Sequence, residues 1–94
     1  MSIQMLISYD ENKRITNITK HSIDFVGCEV IFDHPMLTIE DKRLFYGEQR
    51  LQSYGILHHQ VVFMVWVDRE VPHIISIRQA DKYETRKFIN AIYQ

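Results

Sequence analysis

Val61 to Val67 reads VVFMVWV, with an apolar side chain at every position. A half-buried strand would alternate, so this segment is expected to be a central strand covered on both faces. Around it the pattern breaks into shorter pieces. Met5 to Ser8 reads as a short strand entering a helix at Tyr9–Asp10, with Asp10 as N-cap and Glu11 in the first turn, where a carboxylate suits the helix dipole. Ile15 and Ile18 lie three apart on one face of that helix, which is expected to end near His21. Asp24 can cap a second helix through Phe25, Cys28 and Phe32, stopped by His34–Pro35. Met36 to Glu40 and Gln49 to Leu57 are candidate strands, the latter turning at His58–His59. After a turn at Asp68–Arg69–Glu70, His73 to Arg78 is the next strand. Asp81 with Glu84 forms an Asp-x-x-Glu variant of the capping box and opens a final helix to about Tyr93. The order predicts an α+β fold, a mainly antiparallel sheet with two N-terminal helices and a C-terminal helix.

No Gly/Ser/Pro-rich linker, repeat or low-complexity run divides the 94 residues, so 1–94 reads as a single domain. With 46% hydrophobic and 24% charged residues the composition is that of a globular chain rather than a disordered one. The lone cysteine, Cys28, excludes an internal disulfide framework and a cysteine-cluster zinc site; its apolar neighbours mark it as a core residue. No secretory signal is visible in Met1 to Tyr9, and Leu51 to Val67 is too short and too polar to span a bilayer, so a soluble intracellular protein is expected. The net charge of −1 does not announce a nucleic-acid binder. Its distribution is more informative. Residues 1–47 hold five basic and seven acidic side chains, whereas residues 48–94 hold six basic and five acidic. Arg78, Lys82, Arg86 and Lys87 face only Asp81 and Glu84 near the C-terminus, which can leave one cationic patch on a near-neutral protein.

His58–His59 are adjacent and do not converge naturally on one ion, no HExxH motif occurs, and no glycine-rich nucleotide loop is present. The expectation is therefore no metal and no cofactor. Three polar groupings remain. Lys20–His21 at the end of the first helix can stabilise its dipole, or can offer a phosphate-contacting lysine beside an imidazole that moves protons near neutral pH. In Tyr46–Gly47–Glu48–Gln49–Arg50, an extended chain over 48–54 would put Glu48 and Arg50 on one face, as an ion pair or as a base beside a phosphate clamp. Strict alternation puts Ser76 and Arg78 on one face of their strand and His73 on the other. Lys82 and Arg86 then stack four apart on the last helix, as a solvated face or as phosphate contacts. Tyr83, Phe88 and Tyr93 on that helix read as core or as a self-association surface.

Taken in order, these residues resemble the BrnT toxins of bacterial type II toxin–antitoxin systems. The opening Tyr9–Asp10–Glu11–Asn12–Lys13, with Asn17, Lys20, His21, Ile23 and Phe25, follows the family's W/Y-D-x-x-K…N-x-x-K-H-x-I/V-x-F pattern. Val30, Phe32–Asp33 and Pro35 follow, then Gly47–Glu48 with Arg50 as the family's G-E-x-R, and Ile74–Ile75–Ser76–Ile77–Arg78–Gln79–Ala80 like its I-I-S-A-R-x-A. The chain departs from the pattern at Gln79 and His73, where basic residues are usual, and at Ile77, where alanine is.

The resemblance implies a RelE-like fold and a cytoplasmic ribonuclease toxin that blocks translation. It further implies neutralisation by a BrnA antitoxin, whose ribbon-helix-helix region ties the complex to operator DNA. RNA can be cut without a metal when its own 2′-hydroxyl attacks the adjacent phosphate. The residues suited to this are Glu48 or His21 as base with the other as acid, Arg50 and Arg78 to stabilise the phosphate, and Lys20, Ser76, Lys82 and Arg86 to hold the RNA backbone. A second reading, favoured by the near-neutral charge and by Gln79 and His73, is a weak or inactive RelE-like binding module that acts through a DNA-binding antitoxin complex.

Overall fold

A computed structural model describes residues 6–43 and 47–93; Met5, placed in the first strand from sequence, and Tyr46, in the G-E-x-R neighbourhood, lie outside the described residues. The elements run β1 (Ser8–Tyr9), α1 (Glu11–His21), a 3-10 segment (Cys28–Asp33), β2 (Leu37–Asp41), β3 (Arg50–Leu57), β4 (Gln60–Val67), β5 (His73–Gln79) and α2 (Lys82–Ile92). The strands form one sheet in the order β1-β5-β4-β3-β2. All pairings are antiparallel except the short parallel contact of β1 with β5. The apolar β4 is central, as its sequence requires. The fold is α+β on a mainly antiparallel sheet.

Both helix starts follow from their caps. The Asp10 carboxylate accepts from the Asn12 and Lys13 amides, and Asp81 and Glu84 close a reciprocal capping box at α2. The expected second N-terminal helix is only a 3-10 segment. Asp24 spends its side chain on the Val26 amide and Arg14, Gly27 turns with φ +90°, and His34–Pro35 follows too soon for an α-helix to propagate. The α1 face also differs from expectation. Ile15 and Ile18 point outward, and the buried residue of the helix is Asn17.

One sheet face carries the main core. Leu57, Val62, Met64, Trp66, Ile74 and Ile77 pack there against Ile23, Phe25, Cys28 and Ile31. Cys28 is fully buried and its thiol is pushed up to about 12 by burial, which makes it a packing residue rather than a nucleophile. On the opposite face α2 contributes Phe88 and Ile92 to a second cluster with Val61, Tyr54 and Ile56. Phe88 is core, whereas Tyr83 and Tyr93 are exposed.

Gly55 sits where the 3-10 segment crosses β3. A Cβ there would stand 2.7 Å from the Cγ2 of Ile31, itself fully buried. Gly55→Ala is therefore expected to cost about 1–3 kcal/mol through overpacking, read as a lower denaturant midpoint. An unchanged midpoint would mean that the segment can shift without loss.

Candidate functional site

The second sheet face is only partly covered by α2, and its open portion collects polar residues. Pairing register places Arg50 and Gln52 of β3, Val65 and Val67 of β4, and Ser76 and Arg78 of β5 on that side. His73 joins them. It stands opposite Val67, Ile74 opposite Trp66, and Ser76 opposite Val65, so Ile75 is one residue too many: a β-bulge. The bulge resets the alternation, and both Ile74 and Ile77 can face the main core. Strict alternation had put His73 on the other face; the bulge corrects this, and His73, Ser76 and Arg78 share one side.

Arg78 is held from two directions. Its Nη1 and Nη2 each donate to a Glu84 carboxylate oxygen at 2.9 Å, and its guanidinium lies 4.4 Å from the centre of the Phe63 ring. Tyr54 donates its hydroxyl to the same carboxylate at 2.7 Å. This pairing, chiefly with Arg78, holds the Glu84 carboxyl well below the usual carboxylate range. Burial, then Glu84, pushes the Tyr54 phenol up to about 12. The sequence marked Arg78 as a rigidly placed cation, but not that a carboxylate three residues into α2 does the placing.

Glu48 precedes β3 rather than extending it, because the strand begins at Arg50. It accepts from Arg69 Nη2 at 2.7 Å, and this bond lowers its carboxyl, with smaller contributions from Arg50 and His73. Arg69, which the sequence offered only as a turn residue, thus belongs to the same neighbourhood. His73 is half-buried, and its Nδ1 shares a 2.8 Å hydrogen bond with Ser8 Oγ. Burial, then Arg69, lowers its pKa from the ordinary histidine value.

A groove of about 370 Å³ between α1 and β5 brings together Lys20, His21 and Ser76, joined by Lys13 and Asn17. Lys20 and His21 occupy the last turn of α1, which Ser22 ends in a left-handed conformation. Lys13 was missed as a site residue, although it stands seven positions before Lys20 and so on the same helix face. Asn17 fixes the groove. Its side-chain amide donates to the Ile23 and Ile77 carbonyls, both at 2.9 Å, and its carbonyl accepts from the Ile77 amide at 3.0 Å. Lys82 and Arg86 are exposed on α2, and Arg86 lines a separate surface hollow with Tyr83, Lys87 and Asn90. Among the described residues, no group of three or more His, Cys, Asp or Glu side chains is placed to hold a metal ion. No helix among them is long and apolar enough to cross a membrane.

Comparison with known proteins bears on the family and the fold. Residues 9–84 match the sequence model of a family described as the ribonuclease toxin, BrnT, of type II toxin–antitoxin systems. Among solved structures, the crystal structure of the Brucella abortus ribonuclease toxin BrnT is similar at a TM-score of 0.61 and 26% identity. That match covers 83% of this chain and 99% of the Brucella chain. No curated protein matches significantly.

Proposed function

Because this chain belongs to the BrnT family of type II ribonuclease toxins, we propose that it is a metal-independent endoribonuclease of RelE-like fold that inhibits translation in the cytoplasm. A BrnA-like ribbon-helix-helix antitoxin neutralises it and links it to operator DNA. The observation that carries this reading is the presence of cationic and proton-transfer side chains on one face of the sheet and in the groove beside it. Arg50 and Arg78 stand on the open face, Lys20 and His21 line the adjoining groove, and Ser76 belongs to both.

In that site Arg50 and Arg78 stabilise charge on the phosphorane, since a guanidinium matches two phosphate oxygens at once. Lys20 and Ser76 guide the RNA backbone along the groove, with Lys82 and Arg86 as outlying contacts. Glu48, kept ionised by Arg69, has no proton to give at neutral pH. The donor role therefore falls to His21, and Glu48 is left to accept a proton or to organise its neighbours.

The second reading, a weak or inactive binding module, draws on one observation: the Arg78 charge is already matched by Glu84. Inducible expression in bacteria separates the two. The wild type is expected to arrest growth and bulk translation, and an Arg50→Ala/Arg78→Ala double variant at equal protein level is expected not to. Arrest by neither points to the binding module. Arrest by both means that toxicity resides elsewhere on the molecule.

A further inference from the structure

We propose that His73 is the proton acceptor that activates the RNA 2′-hydroxyl, an assignment that rests on the ribonuclease reading and names a group within that site. Its position comes from the bulge at Ile75, which turns His73 to the face of Ser76 and Arg78. Its orientation comes from β1. The parallel pairing sets Ser8 opposite His73, and the Ser8 amide donates to the Pro72 carbonyl at 2.9 Å, so Ser8 Oγ is held 2.8 Å from Nδ1. With Nδ1 donating its proton to Ser8 Oγ, Nε2 carries the lone pair.

Charged groups surround the ring from three elements. Arg69 from the β4–β5 turn and Lys13 from α1 oppose its protonation; Glu48 from before β3 and Asp10 at the α1 N-cap favour it. Burial joins the cations, and the balance keeps the imidazole neutral at pH 7, as a base must be before it acts. Glu48 is the poorer acceptor, because its ion pair with Arg69 must be weakened for it to take a proton.

In the step itself the O2′ proton passes to His73 Nε2 and the O2′–P bond forms. The P–O5′ bond breaks, and O5′ takes its proton from the donor of the site, His21. The products are a 2′,3′-cyclic phosphate and a 5′-hydroxyl, with no metal and no water consumed. The next turnover begins when solvent removes the proton from His73 and returns one to His21.

The test uses the full chain and a labelled single-stranded RNA of mixed sequence, with a 2′-deoxy oligonucleotide as control. Cleavage by the wild type should rise with pH below neutrality as the His73 imidazole loses its proton. His73→Gln, which keeps much of the side chain's bulk, should slow cleavage at least about 100-fold and abolish that rise, the scale expected for loss of a general base. Added imidazole should restore part of the activity of His73→Ala, and Ser8→Ala should move the midpoint of the profile. A His73→Gln rate within about threefold of the wild type, far less than a general base supplies, overturns the assignment. So does a lower rate with the same rise in pH, since that is the signature of a merely structural histidine. No RNA cleavage by the wild type overturns the ribonuclease reading and this assignment together.

Discussion

Asn17→Ala is expected to lower the stability of the fold by about 3–5 kcal/mol, a large part of what a domain of this size possesses. The side chain is 4% exposed and makes three hydrogen bonds to main chain, two of them to the amide and carbonyl of Ile77. Since β1 ends at Tyr9, opposite Ile74, Ile77 has no strand neighbour on that side among the described residues. Asn17 stands in for one, offering a donor and an acceptor as a peptide unit would. Alanine leaves the Ile77 amide and carbonyl and the Ile23 carbonyl without these partners in a place water reaches poorly, and each such group costs about 1–3 kcal/mol. Asn17→Asp keeps the acceptor but loses both donated bonds and buries a charge, so it should not rescue. Urea denaturation reads the effect. A loss below about 1 kcal/mol would be that of one ordinary hydrogen bond, and would mean that α1 is held to β5 by something other than this amide. The same contact positions part of the candidate site, because the helix it anchors bears Lys20 and His21.

Asn17 also marks where local pattern stops predicting tertiary structure. Its place in the sequence, between Thr16 and Ile18 on a helix with Ile15, invites burial of the isoleucines. The helix instead lies beside the sheet edge, and the edge needs a hydrogen-bonding partner more than an apolar one. That requirement belongs to β5, sixty residues away, and is invisible within a helical window. The elements with local causes were legible: the Asp10 and Asp81 caps, the His58–His59 turn with both φ values positive, and the unbroken apolar run Val61–Val67 that makes up most of β4.

The candidate site divides along the same line. Arg50, Ser76 and Arg78 were recoverable from strand alternation, and Lys20 and His21 from their place at a helix end. His73 was not, because one extra residue at Ile75 reverses the alternation and Ile-Ile-Ser-Ile carries no mark of where the bulge falls. Arg69 was hidden for another reason. It lies in a turn, and its partner Glu48 is 21 positions away. Only the antiparallel register of β3 and β4 brings the two loops to the same end of the sheet.

Glu84→Gln should remove about 2–4 kcal/mol and bring the Tyr54 phenol down from its raised value, because one carboxylate serves three partners. It accepts both Arg78 nitrogens, the Tyr54 hydroxyl and the Asp81 amide, and only 16% of its side chain is exposed. Arg78 is 38% exposed, which places the cost below that of a fully buried pair. The pH dependence follows from the lowered carboxyl. Its contribution is complete above the unfolded value of about 4.3 and is lost as pH falls toward the folded one, so wild type and variant should converge in acid. The phenol acts at the other end. The unfolded chain releases its Tyr54 proton above about 10 while the folded one keeps it, so wild-type stability should fall as pH rises from there toward about 12. An absorbance titration of Tyr54 separates the contributions. A phenol that stays raised in Glu84→Gln would assign the shift to burial by α2. A phenol that falls would make Glu84 the group that ties the C-terminal helix to the cation of the site, and a phosphate arriving at Arg78 would then have to displace or share that carboxylate.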